Sequence, residues 1–240
     1  MKMSIAIPTC ESHGRGAEFI EDLFRTIQIQ KFKDYDVWVS DHSVDNEVKN
    51  ICRAYEKIIP VYHSRNTENR GNGPANTNRA ISLCKGDIVK VMFQDDFFYD
   101  DEALGKIYDA LSVSDKKWLV CGTNHTRDDG HNFYGDLYPK WNDKILNGVN
   151  TFSSPSTIAF KNTIEDRFDP NLTMMMDCEF YYRMEKIHGQ PLYLKDILVS
   201  NRVHAGQISQ NYTASSKYIE NINKEIDYCF EKHGVNRNEK

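Results

Sequence analysis

The 240-residue chain has no closely spaced cysteine pair. Its six cysteines, Cys10, Cys52, Cys84, Cys121, Cys178 and Cys229, are scattered too widely for a zinc ribbon or a redox dithiol. That spacing predicts reduced thiols and a cytoplasmic setting. No apolar run approaches the ~20 residues of a membrane-spanning helix. The apolar run at residues 1–8 is too short for a secretion signal. Any membrane association is therefore expected to be peripheral. No block of Lys and Arg occurs and the net charge is −5, which argues against nucleic acid as a partner. No repeat, low-complexity tract or linker divides the chain, so one compact domain is expected. With 40% hydrophobic and 27% charged residues, the chain has ample material for a sizeable core.

Strand and helix signals alternate through the first half. Residues 3–8 form a short β-branched run, and residues 17–30 carry Phe19, Ile20, Leu23, Phe24 and Ile27 at helical spacing. Strands are predicted at 36–40, 58–63, 88–93 and 118–121, with helices at 45–55, 75–84 and around Leu104–Leu111. Such alternation implies an α/β fold with a parallel sheet and helices on both faces. The second half is less regular. Residues 125–148 read as a long functional loop or a small antiparallel insert. Strands are expected at 156–160 and 191–194, a helix at 178–188, and a polar loop at 201–214. A last helix, 217–233, carries Ile219, Ile222, Ile226 and Phe230 in a stripe expected to pack on the domain. A homodimer or a membrane-surface contact is the alternative use of that stripe.

The chemistry starts from Asp95-Asp96, which follow the apolar run 88–93. Carboxylates at the carboxyl edge of an α/β sheet lie where ligands bind. Hard divalent cations take carboxylate and phosphate oxygens together. The alternative for such a pair is a solvated acidic loop.

In this order along the chain the motifs resemble the family 2 glycosyltransferases of the GT-A fold. The resemblance is carried by Ser4-Ile5-Ala6-Ile7-Pro8-Thr9, by Val39-Ser40-Asp41-His42-Ser43-Val44-Asp45, and by Asn76-Thr77-Asn78-Arg79-Ala80-Ile81 with Gly86-Asp87. Phe93-Gln94-Asp95-Asp96 stands in the place of a metal motif, and Met176-Asp177-Cys178-Glu179 precedes Tyr182-Arg183. It implies an inverting, metal-assisted transfer from a nucleotide-diphosphate sugar, a UDP-sugar by preference, to a hydroxyl of a glycan or lipid-linked saccharide.

The resemblance puts Pro8, Thr9, Glu11, Asp41, Arg70, Asn78, Gln94 and Asp95 on the donor side. It makes Asp96, Asp95 and His204 ligands of Mn²⁺ or Mg²⁺, and Asp177 the general base. Phe93 departs from the pattern, because many relatives carry the first acid of the motif there. Metal binding would then rest on Asp96, with Asp95 reaching sugar or ribose hydroxyls. Glu179 is the second candidate for the base. Trp141, Tyr138 and Ser154 are candidates for the acceptor side, where aromatic faces suit the apolar faces of sugar rings. Residues 1–124 would form the donor half, 125–216 the acceptor half, and 217–240 a terminal helix and tail. A nucleotidyltransferase on a similar sheet and a noncatalytic saccharide-binding relative are the competing readings.

Overall fold

A computed structural model describes residues 2–127, 130–207 and 216–237. Three parallel strands open the fold: β1 (Met3–Thr9), β2 (Tyr35–Asp41) and β3 (Val61–Arg65). They are followed by β4 (Ile88–Val91), β5 (Phe97–Phe98), β6 (Trp118–Thr126), β7 (Phe133–Leu137), β8 (Ile158–Lys161) and β9 (Leu192–Arg202). The sheet runs β3-β2-β1-β4-β8-β6-β9-β5, with β7 extending β6. Pairing is parallel from β3 to β4 and between β6 and β9, and antiparallel wherever β5, β7 or β8 takes part. Six strands, β1, β2, β3, β4, β6 and β9, therefore point the same way and share one carboxyl edge.

Period-2 alternation divides the core into two layers. Ile5 and Ile7 of β1 face α1 (Gly16–Gln28), α2 (Glu47–Tyr55) and α4 (Ala103–Val113), while Ala6 faces the opposite layer. That second layer is covered by α3 (Gly73–Leu83), α5 (Met176–His188) and α6 (Ser216–His233). Helix α1 buries Phe19, Ile20, Leu23, Phe24 and Ile27, the residues its spacing predicted. Their burial is worth roughly 10 kcal/mol before entropy is counted. Gly16 lets α1 start against the loop after β1, since a Cβ there would lie 2.0 Å from the Cys10 carbonyl oxygen. Helix α3 is started by Asn72, whose side chain accepts from the Ala75 N–H at 2.8 Å, and by Pro74 in its first turn.

Differences from the expected elements have local causes. The strand expected at 156–160 begins at Ile158, because Ser154 and Pro155 first close a tight turn over Pro155–Thr157. The stretch 125–148 contains the antiparallel insert β7. The polar loop expected at 201–214 starts later, since Asn201 and Arg202 remain in β9 with buried side chains; residues 208–215 of it lie outside the described residues. In α6, Ile226, Cys229 and Phe230 are buried in the second layer, and Ile219 is exposed. Among the described residues no helix is long and apolar enough to cross a membrane.

Candidate active site

The parallel register sets Thr9, Asp41 and Arg65 in one row across three strand ends. Asp41 is fully buried. Its Oδ1 accepts the Ser43 N–H at 2.8 Å, and its Oδ2 meets His63 Nε2 at 2.7 Å and the Arg65 guanidinium at 3.4 Å. Burial alone would raise its pKa. The bonds from His63 and Ser43, with the Arg65 charge, outweigh that and hold it below the usual carboxylate range. The Thr9 hydroxyl and the Cys10 N–H, the latter at 2.9 Å, both donate to Gln94 Oε1. Glu11 Oε1 accepts the Val44 N–H at 2.5 Å. Arg65 and, at 3.3 Å, Arg70 donate to the Ser43 carbonyl. Pro8, Thr9, Glu11, Asp41, Arg70 and Gln94 are thus brought together around the 41–45 turn and the end of β1.

Asn78 is not among them. Its amide makes two bonds to the Phe168 backbone, at 2.7 and 2.8 Å, and pins the 168 segment to α3. The asparagine under the strand ends is Asn76. Its Nδ2 donates to the Thr9 and Ser40 carbonyls, each at 3.0 Å, and its Oδ1 accepts from Ser40 Oγ at 2.7 Å and Asn66 Nδ2 at 3.2 Å. A signal for this was present in the sequence. Asn76 lies four residues before Ala80 and so shares the buried face of the helix.

The two acids have different settings. Asp96 is 3% exposed, accepting from Ser154 Oγ at 3.1 Å and the Arg202 N–H at 3.3 Å. Burial, then the neighbouring Asp95 charge, push its pKa up. Asp95 is partly exposed, and its Oδ2 lies 3.1 Å from His204 Nε2. Asp95 is thus the more accessible acid, and Asp96 ties the turn to β9. Phe93, in the place of an acid, packs against the second layer and donates its N–H to Ser156 Oγ at 2.9 Å. Arg202, which the sequence did not single out, lies fully buried between the rings of Phe19 and Phe97, at 4.6 and 4.5 Å, and pairs with Asp22 at 2.8 Å.

Among the described residues no three His, Cys, Asp or Glu side chains are grouped to hold a metal ion. Asp95 and His204 offer one hard oxygen donor and one imidazole. That set fits an Mg²⁺- or Mn²⁺-type ion whose remaining positions go to phosphate oxygens and water.

Asp177 stands in the first turn of α5, partly buried. Its Oδ2 accepts from Asn150 Nδ2 at 2.7 Å and its Oδ1 from the Cys178 N–H at 2.7 Å. Burial dominates these bonds and raises its pKa to about 6. Asn150 also donates to the Ser153 carbonyl at 2.9 Å. Ser153 Oγ donates to Asn201 Oδ1 at 2.9 Å, Asn201 Nδ2 to Ser154 Oγ at 2.7 Å, and Ser154 to Asp96. A chain of polar contacts thus joins Asp177 to the strand-end acids. Ser153 adopts φ 69°, a conformation costly for a residue with a Cβ. Neither Asn150 nor Asn201 had a motif to mark it.

Glu179 does not face this edge. It is fully buried among Arg183 at 2.9 Å, Lys232 at 2.9 Å and His233 at 3.1 Å. Burial opposes its charge, but those three partners win and its pKa is lowered. It joins α5 to α6 and has no free oxygen for a substrate. Trp141 packs on Phe152 at 6.0 Å and donates to Asp143 at 2.8 Å. Tyr138 is 54% exposed, and Phe133 and Tyr134 on β7 are also exposed.

Solved structures with the same architecture are numerous. Staphylococcus aureus TarS 1-349 in complex with UDP-GlcNAc aligns at TM-score 0.70 and 18% identity, covering 96% of this chain and 66% of that one. The same fragment in complex with UDP aligns at TM-score 0.68 and 17% identity, covering 96% and 65%. The mannosyltransferase PcManGT from Pyrobaculum calidifontis, in complex with GDP-Man and Mn²⁺, aligns at TM-score 0.60 and 16% identity, covering 83% and 56%. This chain therefore spans just under two thirds of the TarS fragments and somewhat over half of PcManGT. At these identities the likeness establishes the fold, a mixed, mostly co-directional sheet flanked by helices as in GT-A glycosyltransferases. Among curated protein sequences none matches significantly. The family profile described as "Glycosyl transferase family 2" matches residues 4–187, well over half of the sequence. The chain belongs to glycosyl transferase family 2.

Proposed function

We propose that this glycosyltransferase is inverting and moves a sugar from a nucleotide-diphosphate sugar to a hydroxyl of a glycan or lipid-linked saccharide. The observation that carries this reading is Asp177. It is a carboxyl with a pKa raised to about 6, linked through Asn150, Ser153, Asn201 and Ser154 to the acids at the strand edge. A carboxylate of that kind is a good general base near neutral pH. The acceptor oxygen attacks the anomeric carbon as Asp177 takes its proton, and the bond from that carbon to the diphosphate oxygen breaks on the far side. Attack opposite the leaving group inverts the anomeric centre.

Residues 1–124 serve the donor in this account, residues 125–216 the acceptor, and 217–240 support the latter. Pro8, Thr9, Glu11, Asp41, Arg70 and Gln94 surround the nucleotide. A UDP-sugar is favoured because two of the similar structures hold UDP or UDP-GlcNAc. Asp95 and His204 would hold Mn²⁺ or Mg²⁺ with the diphosphate, and the ion when bound neutralises charge on the departing nucleotide.

A thermal-shift panel of UDP, GDP, CDP, ADP and TDP, with and without Mn²⁺, tests the reading. A ligand that binds only the folded state raises the midpoint by mass action. The expected result is one diphosphate, UDP, with a larger shift when Mn²⁺ is present. No shift with any nucleotide would favour a noncatalytic relative. Pyrophosphate release from a nucleoside triphosphate and a sugar phosphate would favour a nucleotidyltransferase.

A further inference from the structure

Helix α5 starts without a capping side chain of its own, since Met175 occupies the cap position. The segment that leads into the helix is held instead from another helix. The Glu225 carboxylate on α6 receives the N–H groups of Thr173, Met174 and Met175, at 3.1, 2.7 and 2.8 Å. These are three successive amides, and Asp177 follows two residues later.

The same helix holds both flanks of that turn. Before it, Tyr228 Oη and Lys232 Nζ bond Asp169 Oδ2 at 2.8 and 2.7 Å. After it, Lys232 and His233 hold Glu179. Ile226, Cys229 and Phe230 anchor the other side of α6 in the core. Glu225 is thus a charged acceptor on a fixed support, aimed at the backbone that presents Asp177. Charge-assisted bonds of this kind are stronger than neutral ones and fix geometry. A base displaced by about 1 Å loses much of its rate.

We propose that Glu225 is a positioning residue for Asp177, a role that rests on the reading of Asp177 as the base. It touches no substrate; it sets the turn from which the base reaches the acceptor hydroxyl.

The test compares full-length wild type with Glu225→Ala, Glu225→Gln, Asp177→Asn and the control Lys224→Ala, an exposed neighbour on the same turn. Hydrogen exchange is followed across residues 172–178. Nucleotide release is followed from UDP-GlcNAc and GDP-mannose with water as acceptor. In Glu225→Ala, exchange at 173–175 should accelerate about tenfold or more. Its kcat should fall about tenfold while the donor KM holds, the mark of a loss confined to the transition state. Glu225→Gln, which keeps one acceptor oxygen, should recover part of both, and Lys224→Ala should match wild type. Unchanged exchange in Glu225→Ala overturns the assignment, as does faster exchange with kcat unmoved. If Asp177→Asn keeps wild-type turnover, the base assignment fails and this role falls with it, even where exchange still reports the Glu225 contact. Absence of turnover by wild type with both donors has the same consequence.

Discussion

The β1–β2 edge, proposed above for the donor, and the α5 flank, proposed for the acceptor, spend their polar groups differently. Around Thr9, Asp41 and Gln94 the carboxylate and amide groups are bonded to other protein groups, while the Ser43 hydroxyl beside them is buried without a hydrogen bond among the described residues. Asp41 answers Ser43 and His63, Gln94 answers Thr9 and Cys10, and Asn76 ties three segments together. The flank around Asp177 differs in charge rather than in bond count. Asp177 is held by Asn150 and the Cys178 N–H, where Asp41 has His63 and Arg65, its pKa is raised, and the rings of β7 stand in solvent. A charge-compensated network holds shape, whereas a desolvated carboxylate bonded only to neutral groups holds reactivity. Substitutions at the β1–β2 edge should therefore register as stability, and those around Asp177 as rate.

The sharpest test of that contrast is Asp177→Asn. General-base catalysis is worth about 10²–10⁴-fold, so kcat should fall by that factor. The UDP-induced thermal shift should survive. The sign of the pH dependence follows from the raised pKa. The base works as the carboxylate, so wild-type kcat should fall about tenfold per pH unit below pH 6 and level off above it. Retention of that limb in Asp177→Asn would assign it to another group.

At the donor edge the counterpart is Asn76→Leu. It removes four buried hydrogen bonds and leaves the Thr9 and Ser40 carbonyls without this partner. A cost of about 3 kcal/mol is expected, a fall of ~6–12 °C in Tm for a domain of this size. Turnover per folded molecule, measured well below the midpoint, should change little. A large loss of kcat with an unmoved Tm would break the division between the two regions.

How far the sequence could go follows from the same contrast. Strand and helix order was legible because it is written in periodicity. Phe19, Ile20, Leu23, Phe24 and Ile27 announce α1, and all five are buried. The cluster at the strand ends was legible because strand ends carry short motifs, and Thr9, Asp41 and Gln94 do meet there. Directions within a motif are not legible in the sequence: of the two asparagines Asn76 faces the sheet and Asn78 does not, and of the two acids Asp95 is the more accessible. Glu179 is within two residues of Asp177, the proposed base, yet points into the ion cluster with Arg183, Lys232 and His233. Asn150, Asn201 and Glu225 were not legible at all. Their roles exist only through contacts across 27, 47 and about 50 residues of chain.

Lys90 gives a third comparison, at the boundary of the two regions. It is fully buried in β4, and its ammonium donates to the carbonyls of Val91 at 3.0 Å, Ile158 at 3.4 Å and Ser156. It therefore braces the turn that brings Ser154 to Asp96. Burial lowers its pKa to about 8. Below pH 8 both folded and unfolded forms carry the proton. Between pH 8 and about 10.5 the unfolded chain binds more protons, so stability rises with pH there. Wild type should gain about 2–3 kcal/mol across that window relative to Lys90→Met, measured by urea unfolding at each pH. Parallel pH profiles for the two proteins would show that Lys90 does not titrate in the window.

The smallest structural effect is expected where the acceptor flank is most open. Phe133 is 40% and Tyr138 54% exposed, and neither belongs to a core cluster. Among the described residues Phe133 has one ring neighbour, Tyr99, at 5.1 Å, and the Tyr138 hydroxyl reaches Asp136 at 3.5 Å. Truncating such side chains costs within about 0.5 kcal/mol each. The double substitution Phe133→Ser with Tyr138→Ser should therefore move Tm by no more than ~2–4 °C and leave the UDP shift intact. If these rings form the saccharide platform, the same variant should lose the signal that wild type gives on a glycan array. A loss of Tm without loss of glycan signal would mean that the rings hold the β7 insert in place, and the acceptor would have to be sought along Asn150–Ser154 instead.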